Sequence, residues 1–360
     1  MSRFSLLQRA LAWRDQDPDD TTKAELAAMI AAAETGDTAA LEARFDGRLQ
    51  FGTAGLRGEL GAGPTRMNRV LVTQAAAGFA AFLRSRDEKP SIVIGYDGRV
   101  NSEVFARDTA VIMAGAGIRT ILLPRALPTP VLAFAVRHFA VSAGVMVTAS
   151  HNPARDNGYK VYLGGLDHGS QIVAPVDEQI AVEIERVALG SIAELPRSTE
   201  FEVADEAVLD EYVRRTAELG RPAAPISFVY SAMHGVGWET ASRVFEAAGF
   251  AAPAVVTEQI EPDEAFPTVA FPNPEEPGAM DLTFAKAIAV GADLAIVNDP
   301  DADRLAVAIP TRDATWRSLS GNEVGFLLGW RAAERARARG AEDGVLAASI
   351  VSSPALSEIA

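Results

Sequence analysis

The sequence predicts an α/β protein built as consecutive three-layer α/β/α domains with mixed, largely parallel sheets. Three observations lead there. Short β-branched runs recur along the 360 residues. Alanine-rich amphipathic stretches of helix length separate most of them. A strand, turn, helix, strand pattern returns near 91–124, 226–259 and 292–330. The expected strands are SIVIGYD (91–97), RTILLP (119–124), AGVMVTA (143–149), ISFVYSA (226–232), PAVVTEQ (253–259), ADLAIVN (292–298), RLAVAIP (304–310) and VLAASIV (345–351). The expected helices include 68–86, 102–117, 236–249 and 276–290. Such alternation sets parallel strands side by side with helices on both faces.

Polar stretches around 190–205 and 311–320 mark boundaries. They divide the chain into an N-terminal helical extension (1–40), a first domain (41–190), a second (205–310) and the start of a third (320–360). The final run, VLAASIVSSPALSEIA, reads as a buried strand, a Ser-Ser-Pro turn and the start of a helix. Nothing follows it to complete a sheet, so the third domain is expected to be incomplete and the chain a fragment.

Composition narrows the function. The chain is 48% hydrophobic and 22% charged, enough apolar content for large cores. A net charge of −15 argues against binding a nucleic-acid backbone. It leaves room for a small phosphorylated ligand, because local arginines or a metal reverse the field inside a cleft. The absence of cysteine removes disulfides, thiolate metal sites and cysteine nucleophiles, and fits a reducing compartment. No apolar run approaches membrane-spanning length, and MSRFSLLQRALAWRD suits a surface helix better than a signal peptide. A cytoplasmic protein with no membrane or nucleic-acid partner is expected; its oligomeric state is open.

Four segments carry chemistry. In AIVNDPDADRLAV (295–307), Asp299, Asp301 and Asp303 sit two apart directly after an apolar strand. In an extended loop that period puts three carboxylates on one side. They repel unless a cation joins them, and an oxygen-only set points to a hard ion, Mg²⁺ first. A solvated acidic turn is the alternative. An EF-hand fits poorly, since the places for its Gly and Glu hold Arg304 and Pro310. An aspartate-nucleophile phosphatase ranks lower because the acidic series continues to Asp303.

In VTASHNPARDNGYKVY (147–162), Ser150 follows a strand directly, where α/β sheets build their sites. Pro153 and Asn157-Gly158 turn the loop sharply, and Lys160 returns toward the same spot. A serine alone is a poor nucleophile and needs a base, a metal or a charged environment. No G-x-S-x-G surrounds it, which argues against acyl transfer. A capped turn with a surface lysine is equally compatible with this segment alone. FGTAGLRG (51–58) sets three glycines around Arg57, suited to close backbone approach and a forked anion clamp. SGNEVG (320–325) opens an apolar helix; Glu323 there is either a first-turn helix residue or an acceptor for ligand hydroxyls.

In this order the segments resemble the α-D-phosphohexomutase superfamily, the phosphoglucomutase/phosphomannomutase enzymes. The resemblance runs from about residue 40 onward. TASHNP and DPDADR carry it most specifically. FGTAGLRG, YSAMHGVG, FPNPEEPG and SGNEVG point to the branch with phosphopentomutase-like and glucose-1,6-bisphosphate synthase-like members. The resemblance implies that 41–190 is the phosphoserine domain, 205–310 the Mg²⁺-binding domain and 320–360 the opening of the sugar-binding domain, with the fourth, phosphate-gripping domain absent. It implies that Ser150 carries a phosphoryl group and that Asp299, Asp301 and Asp303 bind Mg²⁺ together with it. Arg57, Lys160 and Arg304 match active-site cations, and Glu323, with Asn322 beside it, matches a sugar-hydroxyl contact. His151 either contacts the phosphate or braces the loop, with bracing preferred. His234 is equally ambiguous, and His138 and His168 read as structural or surface residues.

The implied function is a phosphosugar mutase. It would move a phosphoryl group between the C1 and C5 or C6 hydroxyls of a hexose or pentose phosphate, through a bound bisphosphate. A glucose-1,6-bisphosphate synthase or Mg²⁺-dependent phosphatase on the same scaffold is the second expectation. A non-catalytic phosphosugar-binding protein is the third.

Overall fold

The computed structural model describes residues 3–53, 55–220, 222–313, 315–341 and 344–359. The chain opens with three helices, α1 (Arg3–Gln16), α2 (Asp20–Thr35) and α3 (Ala39–Phe45). Their apolar residues fall at helical spacing. Leu6, Ala10 and Trp13 on α1 meet Leu26, Ile30 and Ala33 on α2 and Leu41 and Phe45 on α3 in one core. The helical extension thus runs to Phe45, because Leu41 and Phe45 are needed to close that core. A Glu25 carboxylate joins it to the loop beyond, accepting from the Ala62 amide at 2.7 Å and pairing with Arg44 at the same distance.

Next come β1 (Leu56–Glu59), α4 (Arg69–Arg86), β2 (Ser91–Tyr96), α5 (Ser102–Gly115), β3 (Arg119–Leu122), α6 (Thr129–His138), β4 (Ala143–Val147), β5 (Asp156–Leu163), β6 (Ser170–Gln171), α7 (Val176–Val187), β7 (Glu202–Val203) and α8 (Ala207–Ala217). The sheet order is β1-β5-β4-β2-β3-β7, with β6 on β5. Strands β4, β2, β3 and β7 are parallel, whereas β5 runs antiparallel between β4 and β1. Strand alternation makes the three layers. Ile92 and Ile94 face a core shared with Leu71, Phe79, Phe105 and Ile184 of α4, α5 and α7. Val93 between them faces Val131 and Leu132 of α6 and Leu209 of α8. The polar stretch near 190–205 ends in an edge strand, and Val208, Leu209 and Val213 of α8 pack onto this first core.

The second unit comprises β8 (Phe228–Ser231), α9 (Gly237–Ala247), β9 (Ala254–Val255), α10 (Asp281–Val290), β10 (Leu294–Asn298), β11 (Leu305–Pro310) and β12 (Trp316–Ser318), ordered β12-β11-β10-β8-β9. Strands β8, β9 and β10 are parallel; β10, β11 and β12 form an antiparallel meander. Val229 packs on the α10 side and Tyr230 on the α9 side, giving again three layers. The 311–320 stretch contains part of the sheet: Trp316 on β12 stacks on Phe284 at 6.3 Å. A three-residue strand beside a polar turn is too short to show a period in sequence.

The chain then forms α11 (Gly321–Ala338) and α12 (Ala355–Ile359). The strand expected over 345–351 is not formed. Strands exist through ladders with neighbours, and none of the described residues pairs with this segment; Val345, Ile350 and Val351 are exposed. Among the described residues, no helix is long and apolar enough to cross a membrane.

Candidate active site

The C-terminal ends of β4 and β10 face each other across the two sheets, as expected for sites at the carboxyl edges of parallel strands. After β4 the chain reaches Ser150 in the left-handed region at φ 53, a costly conformation for a residue with a side chain. Local bonds hold it there. The Ser150 amide donates to Thr148 Oγ1 at 2.8 Å. A buried guanidinium fills the loop behind: Arg99 Nη2 donates to the carbonyls of Ser150 (2.5 Å) and Asn152 (2.7 Å), and Nη1 to those of Pro153 (2.9 Å) and Asp156 (3.2 Å). Arg99 also pairs with buried Asp97 at 3.4 Å and lies over the Phe266 ring of the second unit, 4.9 Å from its centroid.

After β10 comes the acidic loop, with Ala302 at φ 53 and Asp299 and Asp301 wholly buried. Ser150 Oγ donates to Asp299 Oδ2 at 3.0 Å. Lys160, on β5 opposite Met146, reaches across to Asp301 Oδ2 at 2.7 Å and Asp303 Oδ2 at 2.6 Å. The Arg304 amide donates to Asp299 Oδ1 at 3.0 Å, and its guanidinium lies 3.8 Å from Asp303. Glycine makes this approach possible at Gly235, where a Cβ would collide with Pro300. At Gly55 of the Gly-rich loop, φ is +78 and a Cβ would collide with the Tyr159 carbonyl.

One oxygen from each of Asp299, Asp301 and Asp303 lies within 4.8 Å of the others, so the group could hold a metal ion. The electrostatics suit one. Burial, then the charges of Asp301 and Asp303, push the Asp299 carboxyl well above its ordinary range. Burial also opposes the charge on Asp301, but Lys160 and Thr129 outweigh it and keep that carboxyl ionised. Among the described residues, Asp301 Oδ1 is buried without a hydrogen-bond partner, a cost that a cation would remove. An all-oxygen donor set fits a hard divalent ion.

The cations have distinct settings. Burial works against the charge of Lys160, but the Asp301 and Asp303 carboxylates hold its pKa above the usual lysine value. Arg57 on β1, opposite Gly158, donates to Asn152 Oδ1 at 3.2 Å. His151 Nδ1 lies 3.4 Å from Ser150 Oγ, and its ring meets Phe271 edge-on at 5.9 Å. Burial first, then Arg304 and Arg57, lower its pKa to about 4, so the ring is neutral near pH 7. His234 bonds Thr268 at 2.8 Å, His138 stacks on Phe134 at 5.4 Å and His168 ends an exposed turn.

Asn322 and Glu323 are not brought into contact with this junction. Glu323 accepts from Arg317 at 2.9 Å and completes a capping box with Ser320. Asn322 Oδ1 accepts from the Ser353 amide at 2.9 Å. Sequence reasoning missed Arg99, Thr129 and Phe271. The available signals were charged Asp97-Gly98-Arg99 at the end of a buried strand, and Phe271 inside FPNPEEPG.

Two family models match. Phosphoglucomutase/phosphomannomutase α/β/α domain I covers residues 48–190, and domain II covers 210–312. A Haemophilus influenzae protein named "Probable phosphomannomutase" is 57% identical over 82% of this chain and 60% of its own length. A Mus musculus phosphopentomutase is 36% identical over 90% of this chain and 54% of its own. The crystal structure of a phosphoglucomutase/phosphomannomutase family protein from Burkholderia thailandensis superposes with TM-score 0.65 at 25% identity, covering 79% of this chain and 59% of that one. The chain thus spans less than two thirds of the length of these relatives.

Proposed function

The chain belongs to the phosphoglucomutase/phosphomannomutase family, and from that premise we propose that it supplies the phosphoryl-relay half of a phosphosugar mutase. The observation that carries this reading is Ser150 Oγ held 3.0 Å from Asp299 at the mouth of a three-carboxylate cluster. In the forward half-reaction a hydroxyl oxygen of a hexose or pentose monophosphate attacks phosphorus on Ser150. The P–O bond to serine breaks, the serine oxygen keeps the electron pair, and the sugar hydroxyl proton passes to a base. The resulting bisphosphate turns over. Ser150 Oγ then attacks its other phosphorus, the P–O bond to the sugar breaks, and that oxygen regains a proton.

The chain's own residues have defined parts. Arg99 and Thr148 fix the Ser150 backbone. Arg57, whose guanidinium donates to the Asn152 amide oxygen, is suited to the flanking phosphoryl oxygens. Lys160 pairs with Asp301 and Asp303, which hold its pKa above the usual lysine value, and sets an ammonium beside Ser150 and the acidic loop. Asp299, Asp301 and Asp303, with Ser150, would hold Mg²⁺, which when bound offsets charge on the transferring group. The names of the relatives support phosphomannose and phosphopentose as first substrates to try. Residues 320–359 read as the opening of a third domain.

The test is incubation with glucose 1,6-bisphosphate, then intact mass and peptide mapping. One phosphoryl group on Ser150 is expected, and Asp301→Asn should slow its appearance by roughly 10²-fold or more, since metal stabilisation of the transferring group contributes several kcal/mol. Phosphate found consistently on another residue would overturn the relay.

A further inference from the structure

The acidic loop belongs to the second unit, yet its central carboxylate is fixed by a residue of the first. Thr129 is the first residue of α6, between Pro128 and Pro130. Its backbone amide donates to the Asp301 carbonyl at 2.9 Å, and its Oγ1 donates to Asp301 Oδ2 at 2.6 Å. Lys160 donates to that same oxygen at 2.7 Å. Both Thr129 and Asp301 are buried. The flanking prolines stiffen this corner, because Pro130 restricts the backbone of the residue before it and Pro128 is fixed in φ. The aligned peptides of α6 also place their positive end at the carboxylate.

The two oxygens of Asp301 are therefore unequal. Oδ2 is engaged by two donors from the first unit, whereas Oδ1 is buried with no hydrogen-bond partner among the described residues. The geometry points to Thr129 as a positioning residue for the cation site. By holding Oδ2, it sets the plane of the carboxylate and leaves Oδ1 as the unengaged oxygen available to an ion. It also joins the serine-bearing unit to the acidic loop, beside the Lys160 and Ser150 bonds across the same junction. Residues behind a metal ligand commonly act this way, orienting the ligand and tuning its donor strength. This inference rests on the proposal that a divalent cation binds Asp299, Asp301 and Asp303.

The experiment is calorimetric titration of the full chain with Mg²⁺, for wild type, Thr129→Val and Thr129→Ser, with circular-dichroism melts of each. Valine keeps the shape and removes the hydroxyl; serine keeps the hydroxyl. Thr129→Val should weaken Mg²⁺ binding roughly 10- to 100-fold, and Thr129→Ser should retain most of the affinity. If the valine variant does not fold, Thr129→Ala replaces it with the same expected loss. Wild-type affinity in the folded valine or alanine variant would overturn the role. So would equal weakening in the serine variant, which would make the effect one of packing. A wild-type chain that binds no Mg²⁺ would instead overturn the cation reading itself, and the positioning role with it.

Discussion

Two regions singled out by the same kind of sequence signal behave differently. At the junction of the two sheets, Ser150, Lys160 and the three aspartates satisfy one another across sequence separations of 141 to 149 residues. At the head of α11, Glu323 satisfies its own helix: it bonds Ser320 three residues away and Arg317 six away. The first arrangement is costly in isolation, with buried carboxylates, a buried ammonium and a left-handed serine. Arg99 and Thr148 of its own unit hold the serine, and cross-unit partners make the buried carboxylates and ammonium tenable. The second is exposed and would form in almost any helix. Long-range polar dependence, rather than residue type, separates the two.

Breaking the junction should have the largest consequences. Ser150→Ala removes the proposed acceptor of the phosphoryl group, and loss of a catalytic nucleophile commonly costs ~10³-fold or more. Incorporation measured by intact mass should fall to background while the melt stays near wild type. Retained incorporation would assign the relay elsewhere. Arg99→Leu should act on stability instead. It deletes four carbonyl contacts and takes the guanidinium away from buried Asp97, which keeps hydrogen bonds from Ser102 and the residue-99 amide, a loss of roughly 3–5 kcal/mol by denaturant titration. A change below about 1 kcal/mol would show that the Ser150 loop holds its shape without the guanidinium.

Lys160→Met tests how far the carboxylates depend on an internal cation. Without the ammonium, Asp301 and Asp303 lose their shared partner, and the Mg²⁺-free chain should lose about 3 kcal/mol. Added Mg²⁺ should then raise Tm more in the variant than in wild type, because ligand binding stabilises the folded state by mass action. Identical Mg²⁺-induced shifts would mean that Lys160 and the ion do not share the same carboxylates.

These contrasts also explain what was legible in the sequence. Strand cores were readable because Ile92, Val93 and Ile94 form a continuous β-branched run bounded by turn residues, and that local signal survives folding. The acidic loop was readable because its period of two follows a strand. Arg99 was not, because Asp97-Gly98-Arg99 at a strand end marks a charged turn but does not tell a surface arginine from one filling a loop closed by Ser150, Asn152 and Pro153. Thr129 was hidden for the same reason: its partner lies 172 residues away. The expectation of a strand at 345–351 failed in the opposite direction. Its β-branched residues carry the propensity, but propensity yields a strand only where a neighbour supplies the ladder.

The smallest effect should come from the head of α11. Ser320 Oγ accepts from the Glu323 amide at 3.3 Å, while Glu323 returns a carboxylate to the Ser320 amide at 2.8 Å. Ser320→Ala removes one half of this box and should cost about 1 kcal/mol locally. Hydrogen exchange should show faster amides only in the first turn of α11. Mg²⁺ affinity at the aspartate cluster should not move, since the capping bonds close within six residues and none reaches Ser150 or Asp299. A Mg²⁺ affinity that fell in Ser320→Ala would break the distinction, because it would require the α11 cap to be coupled to the carboxylates through contacts that the fold does not display.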